Sequence, residues 1–113
     1  MADARRRRIA ENEARFREIN DRLRDGLRTL PVDGSPVEFI CECGHAACAE
    51  HVALTLDEYE RVRQDPLLFA LLPGHQIEDT EDVVGETDRF LVVRKRPPTQ
   101  RIAEATDPRA GRR

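Results

Sequence analysis

Cys41-Glu42-Cys43-Gly44-His45-Ala46-Ala47-Cys48 organises the reading of this chain, because it holds all three of its cysteines. Thiols this close together read first as metal ligands, since a structural zinc needs soft donors converging on one point. In an extended segment residues i and i+2 point to the same side. Cys41 and Cys43, ending a predicted strand over 37–41, can therefore face one ion. Gly44 lets the chain turn, and Cys48 returns from the far side of the knuckle.

Three thiolates leave a tetrahedral ion one donor short. The remaining candidates are His45, His51 and His75, which are all the histidines present. His45 is the weakest, sitting inside the tight loop between two ligands. His51 follows Cys48 by three residues, and proximity favours it. His75 follows Pro73-Gly74, a rigid turn able to present a ring from a distance, and a remote ligand would tie the two halves of the domain together. The plain alternative is three buried or free thiols. A Cys41–Cys43 disulfide would close a very strained small ring.

Outward from the knuckle, 52–55 reads as a short strand leaving it. Thr55-Leu56-Asp57-Glu58 is a capping box that starts a helix through about Arg63, with Leu56, Tyr59 and Val62 facing inward. Asp65-Pro66 suits the restart of a helical turn. Leu67, Leu68, Phe69, Leu71 and Leu72 form the most hydrophobic stretch, closed by Pro73-Gly74-His75. An acidic loop (Glu78, Asp79, Glu81, Asp82) follows. Segments 83–86 and 90–94 then flank Thr87-Asp88-Arg89 as a hairpin.

Before the knuckle, residues 5–30 read as one amphipathic helix. Ile9, Phe16, Ile19, Leu23, Leu27 and Leu30 lie near one face, with Glu11–Arg15, Glu13–Arg17 and Glu18–Arg22 paired on the exposed side. Gly26 weakens its last turns and Pro31 stops it. The narrow stripe suits packing on its own domain slightly better than a coiled-coil dimer seam. From Pro97 the chain is polar and aperiodic and reads as disordered. The expectation is an α+β fold divided into an N-terminal helix over 1–30, a zinc-stabilised domain over 31–96, and a disordered basic tail over 97–113.

With 113 residues, 36% charged and 4% aromatic, the chain has a modest core, for which a structural metal is a usual staple. No apolar run approaches the roughly 18 residues that span a bilayer. The start is basic but lacks an apolar h-region, so a secretory signal is not expected. An odd cysteine count then suits a reducing cytoplasm. The net charge of −3 is uneven: +3 over residues 1–30, −12 over 31–88 and +6 over 89–113. An acidic body between basic ends attracts polyanions only at its tips.

A wider set of positions carries a resemblance. Phe39, Cys41-Glu42-Cys43-Gly44, Cys48, Val52, Leu54-Thr55, Glu58-Tyr59-Glu60, Val62-Arg63, Pro66, Phe69, Pro73-Gly74-His75, Val83-Val84, Phe90, Val92-Val93 and Lys95 together resemble a family of small, largely uncharacterised actinobacterial proteins. Asn12-Glu13, Phe16-Arg17 and Asn20 are similar to its lead segment, so the likeness covers residues 9–95. It implies a Cys41/Cys43/Cys48/His75 site, because the position of His51 is not typically His there. It implies no particular activity.

An enzyme is disfavoured. A catalytic zinc keeps an open position with a base beside it, whereas three thiolates and a histidine fill the shell. Glu42 would point away from the ion, and Glu50 is one of many carboxylates. A redox-responsive zinc-thiolate sensor is an alternative, since bound thiolates are the oxidisable form of cysteine. A nucleic-acid-associated regulator would rest on Arg5, Arg6, Arg7 and Arg8 and on Arg94-Lys95-Arg96, against an acidic body with few aromatics. The favoured reading is a small cytoplasmic zinc-stabilised module, monomeric or a helix-mediated homodimer, presenting an acidic face and its helix to a protein partner.

Overall fold

The computed structural model describes residues 2–27, 30, 33–97 and 99–110. Helix α1 spans Ala2–Leu27, strands β1 and β2 span Val37–Ile40 and His51–Leu54, and helix α2 spans Leu56–Arg63. Strands β3, β4 and β5 follow at Leu68–Leu71, Glu81–Glu86 and Leu91–Lys95, and helix α3 closes the order at Gln100–Ala105. The architecture is α+β, as the sequence reading expects. None of the helices is long and apolar enough to cross a membrane among the described residues.

Strands β1 and β2 form an antiparallel hairpin in register Phe39↔Val52 and Ile40↔His51, and the cysteine loop is its turn. The other sheet is antiparallel in the order β3-β5-β4. Helix α2 starts where predicted: Thr55 Oγ1 accepts from the Glu58 N–H at 3.1 Å, and Glu58 Oε1 accepts from the Thr55 N–H at 2.8 Å.

The β3–β5 sheet has core on both faces. Phe69, Leu71, Leu91 and Val93 pack with Cys41, Cys43, Leu67 and Ala103. Ala70 and Phe90 pack with Phe39, Val52, Leu54, Tyr59 and Val62. The Phe39 and Tyr59 rings stack there at 4.4 Å. This corrects the expected helical restart at Asp65-Pro66. Asp65 does cap a turn, accepting from the Leu67 N–H at 2.9 Å. The run that follows is a strand, because a segment buried on both faces is apolar throughout and loses the alternation that marks strands.

Two further corrections concern the ends. Helix α1 docks through Ile9, Ala10, Glu13, Ala14, Arg17, Asn20 and Asp21, whereas Ile19 and Leu23 remain 37% and 40% exposed. Of the paired residues expected on its exposed side, Glu18–Arg22 is an exposed ion pair at 2.9 Å, but Glu13 and Arg17 are fully buried. Charged side chains can occupy the docking face because the body supplies partners. Arg17 donates to Pro66 O at 2.6 Å and Ala103 O at 2.7 Å and stacks on Phe69. Glu13 lies 2.8 Å from Lys95 Nζ. The segment read as a disordered tail instead forms α3, with Thr99, Ala103 and Asp107 buried. Its partners are Arg17 and, through Arg109, Glu60 and Asp21. Glu81, expected in an acidic loop, is buried at the start of β4. Pro31 and residues 111–113 lie outside the described residues.

Candidate metal centre

The knuckle continues the β1–β2 ladder. Cys41 N–H donates to Glu50 O at 3.0 Å, and inside the loop Cys48 N–H donates to His45 O at 3.0 Å. Gly44 is needed here for a close approach. A Cβ at this position would collide with the Ile9 side chain of α1, and Asn12 Nδ2 donates to Gly44 O at 3.1 Å. The fourth residue arrives on a separate turn over 72–75. His75 N–H donates to Leu72 O at 3.1 Å, and Gly74 takes φ +90°, which Pro-Gly provides.

That turn brings His75 to the three cysteines. The ligand atoms of Cys41, Cys43, Cys48 and His75 all lie within 4.8 Å of one another. His75 Nδ1 stands 3.5 Å from Cys41 Sγ and 3.7 Å from Cys48 Sγ. A tetrahedral ion with bonds of about 2.3 Å to sulfur and about 2.05 Å to nitrogen separates S and N by about 3.6 Å. The donor set therefore fits a tetrahedral metal ion without rearrangement of those edges.

The surroundings complete the arrangement. His75 Nε2 lies 3.1 Å from Glu50 Oε2, which orients the ring with Nδ1 toward the thiols. Cys41 Sγ accepts from the Leu72 N–H at 3.3 Å. Cys41 and Cys43 are fully buried in the core, and Cys48 is half-buried. The adjacent Cys41 thiol and burial push the Cys43 thiol far up, and burial raises Cys48. Packed thiols of this kind gain their thiolate form from a cation.

The other histidines lie elsewhere. His51 is exposed on β2 with Nδ1 3.1 Å from Glu38 Oε2. The His45 ring meets His75 edge-on at 6.2 Å between centroids, outside the donor set. Glu42 points away from the centre, as expected of the residue between two same-side ligands. Its carboxylate accepts from Arg63 Nη2 at 2.9 Å, Asn20 Nδ2 at 2.8 Å and the Ala70 N–H at 3.0 Å. One residue thus joins the knuckle to α1, α2 and β3. Asn20 and Arg63 escape a sequence reading because both belong to helices whose polar positions are presumed solvated. Comparison with family models, curated proteins and solved structures yields no match to this chain.

Proposed function

We propose that Cys41, Cys43, Cys48 and His75 hold a structural zinc ion, and that the protein is a small zinc-stapled module for binding another protein. The observation that carries the metal reading is the pair of Nδ1–Sγ separations, 3.5 and 3.7 Å, which match the edges of a tetrahedral zinc site. Zinc supplies a cross-link between residues distant in sequence. The chain's own residues present four donors, orient the imidazole through Glu50 and surround the thiols with core. Four protein donors fill a tetrahedral shell, which favours a structural over a catalytic ion.

The interaction role rests on the exposed apolar side chains of α1 and β4. Arg5 already pairs with Asp79 at 2.8 Å, which leaves less of the basic tip for a polyanion. Free thiolate chemistry of this kind suits a reducing compartment such as the cytoplasm. The test is elemental analysis of purified, reduced protein together with thermal melting before and after chelation. One zinc per chain and a large fall in melting temperature are expected. As-purified protein that carries no zinc and melts at the same temperature before and after chelation would end the proposal.

A further inference from the structure

On the described sheet edges, side chains or loops meet several outward backbone groups of β1, β2 and β3, and none meets those of β4. On the outer side of β3, Glu42 N–H donates to Ala70 O at 2.9 Å, Ala70 N–H donates to Glu42 Oε1, and Leu72 N–H donates to Cys41 Sγ. On the outer side of β1, Ile40 N–H donates to Asn20 Oδ1 at 2.8 Å and Asn20 Nδ2 returns to Ile40 O at 2.7 Å. On β2, Arg89 Nη1 donates to Ala53 O at 2.9 Å. Strand β4 pairs with β5 alone, and beyond the buried Glu81 its residues 82–86 are exposed or half-buried. Among the described residues, no hydrogen bond covers that edge.

Arg96 N–H donates to Thr80 O, so positions 80 and 82 face β5 and the alternation turns the backbone of Val83 outward. Val83 is in register with Val93, on the face that builds the core around Cys41, yet it is 47% exposed. Val84, at the bulge between Val83 and Gly85, is 54% exposed. Edge strands are guarded against pairing by lysine, proline, inward charges or bulges, and beyond Glu81 β4 has the bulge alone. It presents two adjacent valines between Asp82 and Glu86, with Glu78 and Asp88 beyond them. Arg96 already holds Asp82 at 2.6 Å, and the remaining carboxylates, Glu78, Glu86 and Asp88, repel a second copy of the same edge and attract a cationic one.

We propose that the outer edge of β4 receives an extended segment of a partner protein, alternating basic and apolar residues, as an added strand. The inference rests on the reading of the chain as an interaction module and names the partner's chemistry. Main-chain hydrogen bonds at Val83 and Glu86 would supply affinity, and an apolar side chain laid over Val83 would extend the core.

The probe is a blocked six-residue peptide alternating lysine and valine, compared with its glutamate–valine counterpart, on zinc-loaded full-length protein. Saturable amide shifts confined to residues 82–86 and slowed hydrogen exchange at Val83 are expected with the lysine peptide alone. Changing Val83→Lys and Val84→Lys together should weaken binding about tenfold or more while the melting temperature holds. Equal binding of both peptides, shifts elsewhere or no saturation would overturn the proposal. Concentration-dependent shifts of these amides without peptide would assign the edge to a second copy and overturn it too. If native partners are retained equally by the Val83→Lys/Val84→Lys protein, the edge proposal fails while the module reading stands. A chain without zinc would sink the metal reading and leave the peptide titration to be judged by itself.

Discussion

Glu50 Oε2 and His75 Nε2 are 3.1 Å apart, so the carboxylate sets which imidazole nitrogen faces the thiols. Replacing Glu50 with Gln should weaken zinc affinity about 10–100-fold while the stoichiometry stays at one, as read by competition with a chromophoric chelator. His51→Ala should leave affinity unchanged, because His51 pairs with Glu38 on the exposed face of β2. A loss of zinc in that variant would move the fourth ligand. At Gly44 the constraint is steric. Gly44→Ala should cost about 1–3 kcal/mol in urea unfolding. Combination with Ile9→Ala should cost less than the two changes summed, since the collision is between those two residues. Full additivity would show that the crowding is relieved elsewhere. At this scale the thiol cluster was legible from spacing, and the tie between Gly44 and Ile9 was not. Nothing in a glycine records which distant helix approaches it.

Helix α1 docks through a buried charge cluster. Lys95 Nζ lies 2.8 Å from Glu13 Oε1 and 3.3 Å from Glu81 Oε1, and all three side chains are fully enclosed. Glu81 also accepts from the Ile77 N–H and Thr80 Oγ1. Two carboxyl groups thus share one ammonium. Burial, then the Glu81 carboxylate, hold the Glu13 carboxyl well above the usual range despite Lys95. A raised folded pKa gives a contribution that is complete below the unfolded value of about 4.3 and is lost as pH rises through the folded value. The Glu13→Gln protein should therefore lack this loss, and its stability relative to wild type should increase as pH rises, measured by urea unfolding across pH 4–8 (about that range being set by the carboxylate titration). Parallel curves at every pH would show that Glu13 does not titrate there. Lys95→Met should cost about 3–5 kcal/mol near neutrality, because it leaves the carboxyl groups without their cation. The apolar stripe of α1 was readable, but its docking face was not. A helix turns toward the side where its polar groups find partners, and those partners come from β1, β5, α2 and α3.

Over the whole molecule, helix α1 and the segment after α3 meet beside the second core. Arg109 makes paired contacts with Glu60 at 2.8 and 3.0 Å and reaches Asp21 at 3.1 Å, while Tyr59 donates its hydroxyl to Asp21 at 2.6 Å. Arg17 depends on Ala103 O for one of its acceptors, and burial pulls its guanidinium down to about 10, still charged at neutral pH. Deleting residues 99–113 should therefore destabilise the fold by at least about 1.5–3 kcal/mol, the worth of a hydrogen bond to a charged group. An unchanged urea midpoint would mean that α3 merely rests on the surface. Because β3 contributes to both cores and its outer edge bonds the knuckle, the cores should unfold together.

The sequence by itself determined the parts whose cause is local. The capping box starts α2, the Cys-x-Cys spacing turns two thiols to one side, Pro-Gly builds the turn before His75, and two apolar segments flanking Thr87-Asp88-Arg89 mark the β4–β5 hairpin. Local geometry is enough to dictate each of these. Only the tertiary structure decided that residues 68–71 form a strand, that Glu13 and Arg17 face inward, and that the last segment folds back as α3. An apolar run suits helix or strand until its neighbours are placed, and a charged residue is buried only where a distant segment offers its partner. His75 belongs to both classes. Its turn was written locally, and its distance of 3.5 Å from Cys41 exists because β3 docks beside the knuckle.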